Sequence, residues 1–177
     1  MTHQVHHAGC TCRPVLSRRG ILGFGLAGGA MMAFPALAAY GNYEAMLLNC
    51  IDPRFTTSSW VYMAENGMKD RYSQFVIAGG PIGVVSPKFA DWQKTFWDNL
   101  AITVQLHNIR RVIGLTHRDC GAAVVAYDDR IKTDKAFETQ QHTEALRAFR
   151  AAVGQRQPKL GVDTGIMAVD GKVEIVT

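Results

Sequence analysis

Arg111-Val112-Ile113-Gly114-Leu115-Thr116-His117-Arg118-Asp119-Cys120-Gly121-Ala122-Ala123-Val124-Val125-Ala126 is the stretch that decides the fold. Its first six residues form a short apolar run that reads as a strand delivering His117, and Gly121 to Ala126 opens a helix directly after Cys120. A strand passing straight into a helix is the repeating unit of a parallel sheet covered by helices. In such sheets ligands sit outside the carboxyl ends of the strands, where the strand order reverses. An imidazole and a thiol stand at that junction here.

The same alternation extends in both directions. Upstream, Ala45 to Asn49 is an apolar run that reads as a buried strand ending at Cys50, and Gln74 to Ala78 is another, ending in Gly79-Gly80-Pro81. Residues around Ser58 to Asn66 suit a short helix stopped by Gly67. Ser86-Pro87 is a helix entry, with Ser as cap and Pro in the first turn. After it, Phe89, Trp92, Phe96, Leu100 and Val104 recur at helical spacing and bury one face, a stripe of core packing. Downstream, a helix from about Lys135 to Val153 turns Phe137, Ala145, Leu146 and Phe149 inward. Gly161 to Val169, Asp170-Gly171, and Lys172 to Val176 read as a hairpin that makes the last strand antiparallel. The class is therefore α/β, a mostly parallel sheet with helices on both faces.

Two segments carry chemistry, Cys50-Ile51-Asp52-Pro53-Arg54 and His117-Arg118-Asp119-Cys120-Gly121. Cys50, His117 and Cys120 offer two thiolates and one imidazole to a zinc ion, one per chain. Three protein ligands leave the fourth corner of the tetrahedron open, as catalytic sites do. Two thiolates cancel the charge of zinc, so the site is a weaker Lewis acid than one with three neutral histidines. Activity is accordingly expected to rise toward mildly alkaline pH. Beside the ligands, Asp52 is ionised and held by Arg54. It either accepts a hydrogen bond from the attacking oxygen or coordinates the metal itself. Each residue also has a plainer role: an Asp and an Arg two apart form an ordinary surface ion pair, and Cys120 can be a small buried hydrophobe. His107 and His142 belong to no motif and are read as core or surface histidines.

Composition bounds the rest. The 177 residues, 47% hydrophobic, suffice for one sizeable core, and no linker or repeat divides them. The net charge of +4 rests on Arg13, Arg18 and Arg19; setting those three aside leaves 16 basic against 15 acidic residues. No basic stripe remains for nucleic acid. Ser17-Arg18-Arg19-Gly20-Ile21-Leu22 resembles the twin-arginine export motif, and Ile21 to Ala38 is apolar and uncharged. Ala36-Leu37-Ala38 has the small-x-small pattern of a signal-peptidase site. Residues 1–38 are read as a cleavable signal recognised by the twin-arginine export machinery, with a membrane anchor as the alternative, and 39–177 as the catalytic domain. That implies a mature protein that is periplasmic or otherwise exported, and lets a zinc site fill in the reducing cytoplasm before export. Cys10 and Cys12, with His6 and His7, precede the twin arginines and receive no role.

Cys-x-Asp-x-Arg followed some sixty residues later by His-x-x-Cys-Gly resembles the β-class carbonic anhydrases. The resemblance implies strand order 2-1-3-4-5 with an antiparallel last strand, zinc on Cys50, His117 and Cys120, a catalytic dyad of Asp52 and Arg54, and a homodimer or higher oligomer. It also implies resting states in which the aspartate occupies the fourth zinc position. The chain departs from the family where many members carry Arg-Asn-Ala-Gly, since Val76 to Pro81 reads Val-Ile-Ala-Gly-Gly-Pro. It departs again at Pro53, which removes an N–H, and in lacking room after Ala38 for long N-terminal helices. The first expected activity is reversible hydration of carbon dioxide to bicarbonate. A hydrolase of carbonyl sulfide or carbon disulfide, and a non-catalytic zinc or redox protein, are the alternatives. Trp97 on the aromatic helix is left open between interface and partly exposed core.

Overall fold

The computed structural model describes residues 41–177. The segment read as an export signal and the Cys10 and Cys12 group lie outside the described residues. Five strands, β1 (Ala45–Asn49), β2 (Tyr72–Val76), β3 (Arg111–His117), β4 (Gly161–Met167) and β5 (Val173–Ile175), form one sheet in the order β2-β1-β3-β4-β5. The pairings β1–β2, β1–β3 and β3–β4 are parallel, and β4–β5 is antiparallel. Helices α1 (Thr56–Glu65), α2 (Pro81–Val85), α3 (Ala90–His107), α4 (Gly121–Ala126) and α5 (Lys135–Arg156) flank it. The expected α/β class, strand order and final antiparallel strand are all present.

Strand β1 is buried along its whole length because both of its faces are covered. Its residues divide with period two. Ala45 and Leu47 pack with Phe55, Met63, Met68, Ile113, Leu115 and Met167, whereas Met46 and Leu48 pack with Val84, Phe96, Leu100, Val112, Phe149 and Val153. Gly114 in β3 has a packing reason: a Cβ there would stand 2.8 Å from a ring carbon of Phe149, so only glycine lets α5 lie this close to the sheet. Truncating Phe149, which is fully buried, to alanine would cost about 3–5 kcal/mol by emptying that contact. Asp134 starts α5 by accepting the N–H groups of Ala136 and Phe137, each at 3.0 Å. Asn108 ends α3 with φ 46°, the left-handed cap that asparagine tolerates.

Local boundaries shift where tertiary pairing overrides the apolar pattern. Strand β2 runs from Tyr72 to Val76, two residues earlier than the Gln74–Ala78 run suggests, because Tyr72 lies opposite Ala45 and Val76 opposite Asn49. It is an edge strand, with Val76 46% exposed, so its apolar residues do not mark the ladder. Pro81–Val85 forms the short helix α2, which is too brief to show a period in sequence. Phe89 belongs to a 3₁₀ turn before α3, and Trp92 is 39% exposed, so the buried stripe of α3 is carried by Phe96, Leu100 and Thr103. Trp97 falls on the core side, edge-on to Phe96 at 4.9 Å with the Arg156 guanidinium 4.4 Å over its ring. The inward face of α5 includes Glu138 and His142 beside Ala145, Leu146 and Phe149. The hairpin strands end at Met167 and begin again at Val173, and Gly171 takes φ 88° in the turn between them. Among the described residues, no helix is long and apolar enough to cross a membrane.

Candidate metal centre at the ends of β1 and β3

Register brings the two motifs together. Leu48 of β1 lies opposite Gly114 of β3, so Cys50 and His117 leave adjacent strands at the same end of the sheet. This is also where the strand order reverses, β2 lying to one side of β1 and β3 to the other. Cys50, His117 and Cys120, all buried, place one donor atom each within 4.8 Å of one another. A tetrahedron with metal bonds of about 2.0–2.3 Å has donor–donor edges of about 3.3–3.8 Å, so the group is close to closing on a zinc ion.

The donors are prepared for a cation. His117 Nδ1 stands 2.8 Å from the Arg118 carbonyl, an acceptor only, so Nδ1 carries the proton and Nε2 keeps its lone pair. Nε2 is buried and has no hydrogen-bond partner among the described residues. Phe55 stacks on the imidazole at 4.1 Å and fixes its plane. Both cysteines are free thiols. The Cys50 thiol is pulled far below its ordinary value, chiefly by the Cys120 thiol donating to it, with His117 and the Gly79 N–H adding to that against the effect of burial. Cys120 is pushed up by the same contact and by burial, because one proton is shared between two sulfurs. Burial lowers His117, but the Cys50 thiolate and the Arg118 carbonyl outweigh it and raise the ring overall. A divalent cation replaces that shared proton and stabilises both thiolates. The residues therefore fit zinc.

The glycine loop after β2 has a direct part. Gly79, at φ 78°, donates its N–H to Cys50 Sγ at 3.2 Å. A Cβ on Gly80, at φ 55°, would come within 2.8 Å of the Leu115 carbonyl. The loop thus threads between the ends of β1 and β3, a close approach that needs glycine. Asn49 braces the same end, giving an N–H to Ser59 Oγ at 3.3 Å and accepting one from Gln74 at 3.0 Å.

Asp52 caps the 3₁₀ turn Pro53–Phe55 and accepts the Arg54 N–H at 3.0 Å. Pro53 opens that turn, where a missing N–H leaves nothing unpaired. The Arg54 guanidinium grips Asp52 with Nε at 3.1 Å and Nη2 at 2.7 Å. That contact holds the carboxyl down at about 2, so Asp52 is ionised at any ordinary pH. Asp52 is not a member of the donor group; its carboxylate is turned to Arg54. A cavity of about 320 Å³ lined by Cys50, Ile51, Asp52, Pro53, Ala78, Gly121 and Ala122 opens onto the centre. Next to it, an apolar cleft of about 420 Å³ is lined by Ile51, Val76, Ala78 and Trp92 among others.

Three residues around the centre escape the sequence reading. Asp119 receives Arg54 Nη1 at 2.8 Å. Glu138 of α5, completely buried, accepts the Asp119 N–H at 2.7 Å. Arg118 reaches Thr139 at 2.6 Å and Glu174 at 3.0 Å, and lies 3.5 Å from Glu138. Asp119 was visible inside a motif, as a second carboxylate near an arginine. Nothing in the pattern of α5 marks Glu138. His107 pairs with Ser73 at 2.6 Å, and His142 is buried in the core with neither ring nitrogen partnered among the described residues.

No protein-family model matches the chain. An uncharacterized protein of Rickettsia bellii is 34% identical over 139 residues, spanning 78% of this chain and 84% of its own. An uncharacterized protein of Rickettsia conorii is 30% identical over 138 residues, spanning 78% and 74%. Among solved structures, the β-carbonic anhydrase CafA of Aspergillus fumigatus superposes with a TM-score of 0.52 at 15% identity, covering 81% of this chain and 80% of its own. The Coccomyxa β-carbonic anhydrase in complex with acetazolamide gives 0.50 at 16% identity, covering 80% and 75%. At that identity the likeness is one of fold.

Proposed function

We propose that this chain, which belongs to one family with the Rickettsia bellii and Rickettsia conorii proteins and has the fold of the β-carbonic anhydrases, is a zinc-dependent carbonic anhydrase that hydrates carbon dioxide reversibly to bicarbonate. The observation that carries the reading is the convergence of two thiols and an unpartnered imidazole nitrogen at the switch point of the sheet, with an ionised aspartate beside them.

Cys50, His117 and Cys120 would hold the zinc, which when bound would acidify a water molecule and so supply a nucleophile at mildly alkaline pH. Asp52 accepts the hydrogen bond that aims this nucleophile at the substrate carbon, and Arg54 holds the carboxylate in place for the purpose. Because Asp52 is ionised from about pH 2 upward, a rate that rises toward alkaline pH would report the proton of the water. The small cavity, with apolar walls at Ile51, Pro53, Ala78 and Ala122, suits an uncharged linear gas.

One observation favours a second reading. The apolar cleft beside the cavity offers an approach for a more lipophilic molecule, which supports carbonyl sulfide or carbon disulfide as substrate. Assays of zinc-loaded protein with each gas decide the matter: carbon dioxide hydration is expected, and hydrolysis of a sulfur gas without it would overturn the first choice. The twin-arginine motif supports export to the periplasm with cleavage after Ala38. The open β2 edge, with Ile51, Val76 and Trp92 exposed near it, supports a homodimer or larger assembly.

A further inference from the structure

The Arg54 guanidinium is held from two sides. Its Nε and Nη2 edge faces Asp52, while Nη1 donates to Asp119 Oδ2 at 2.8 Å and Nη2 to the Asp119 carbonyl at 3.2 Å. Only a planar group with five N–H donors can meet two carboxylates and a carbonyl at once. Asp119 itself sits at φ 59°, a backbone region that few residues other than glycine enter. What keeps it there is Glu138, whose fully buried carboxylate accepts the Asp119 N–H at 2.7 Å. The contact thus ties the loop after β1 to the loop after β3, and it is pinned from behind by α5.

Resting on the carbonic anhydrase reading, we propose that Asp119 is a positioning residue: it fixes the orientation of Arg54, and through Arg54 keeps the Asp52 carboxylate turned away from the metal ligands and ready to accept from the attacking oxygen. Arg54 is 45% exposed and has a long, flexible side chain. Asp52 alone holds one edge of it and leaves the other free to swing. With Asp119 present both edges are occupied. As an exposed ion pair the contact contributes little to stability, so its worth lies in geometry.

Asp119→Gly and Asp119→Asn test this, because both replacements accept a positive φ and leave the loop unstrained. The full chain is loaded with zinc, and four readouts are taken: zinc per chain, thermal midpoint, the split between kcat and KM for carbon dioxide hydration, and the NMR resonance of the Arg54 Nε–H. The expected result is unchanged zinc content and an unchanged or higher midpoint, with kcat about tenfold lower at constant KM in Asp119→Gly, a smaller loss in Asp119→Asn, which keeps one acceptor oxygen for Arg54 Nη1, and an Arg54 Nε–H that exchanges faster with water. Wild-type kcat with an unaltered Arg54 resonance would overturn the proposal. Loss of zinc in both variants would overturn it too, since Asp119 would then serve the ligand loop and not Arg54. If zinc-loaded wild-type protein hydrates no carbon dioxide, the functional reading fails, and the Arg54 resonance in the two variants still decides whether Asp119 orients the guanidinium.

Discussion

The two loops that build the centre are held in opposite ways. The loop after β1 is local: Asp52 caps its own turn and grips an arginine two residues away, in contact with solvent. The loop after β3 is tertiary: the Arg118 N–H bonds the Met167 carbonyl on β4, the Asp119 N–H bonds Glu138 on α5, and the Arg118 side chain reaches Thr139 and Glu174. The first loop carries the Asp52–Arg54 pair on a turn that its own residues close, whereas the second carries His117 and Cys120 on a backbone that the rest of the fold must hold. Damage to the first should appear as lost chemistry, and damage behind the second as lost stability.

The largest effect removes the distinction altogether. Replacing Cys50 or Cys120 with serine takes a donor from the shared group, and zinc content measured on purified protein should fall to near zero, with hydration falling alongside it. The next separates the loops. Asp52→Asn should keep zinc and fold stability while kcat drops about 100-fold, measured by stopped flow; full activity would show that Asp52 has no part in the reaction.

Glu138→Ala removes the support behind the second loop. It leaves the Asp119 N–H unpaired, strips the counter-charge from the mostly buried Arg118, and empties a fully buried position. Urea unfolding should show a loss of about 2–4 kcal/mol, and Glu138→Gln, which keeps an acceptor oxygen, should lose less. A stable Glu138→Ala protein would mean that the second loop is as self-sufficient as the first.

Acid gives the most gradual effect. Burial lowers His142 from 6.5 to about 4, with Arg118 and His117 pushing the same way and Glu138 opposing. Between those values the unfolded chain binds a proton at His142 that the folded one does not, so the contribution of His142 is intact above pH 6.5, is lost as pH drops toward about 4, and changes no further below that. The loss approaches roughly 3 kcal/mol. Urea titrations at pH 7 and pH 4.5 measure it, and His142→Leu should flatten the slope.

Legibility followed the range of the interaction. The strand-to-helix unit Arg111–Ala126 announces itself because apolar runs and the Cys120-Gly121 junction are local signals. Strand β2 was displaced by two residues because an edge strand is set by pairing with β1 and not by its own hydrophobicity. The five-residue α2 is shorter than any period that could reveal it. Glu138 and His142 were hidden for a different reason. Both lie on the inward face of α5, where periodicity anticipates apolar residues, and Glu138 is matched there by the Asp119 N–H and Arg118 of the loop after β3. A polar residue at a core position reads as surface until its partner is known.

The identity of the donor groups is written in the amino-acid sequence. Two thiols, an imidazole and an aspartate–arginine pair are atoms fixed by covalent identity, and their places at the ends of apolar runs put them at one edge of an α/β sheet. Tertiary structure alone decided how they are held: which side of β1 receives β3, that Gly79 reaches Cys50, that Phe55 lies on His117, and that Arg54 is shared between Asp52 and Asp119. These contacts join residues as far as 65 positions apart. They depend on strand register and on distances of a few ångströms, quantities that no spacing along the chain encodes.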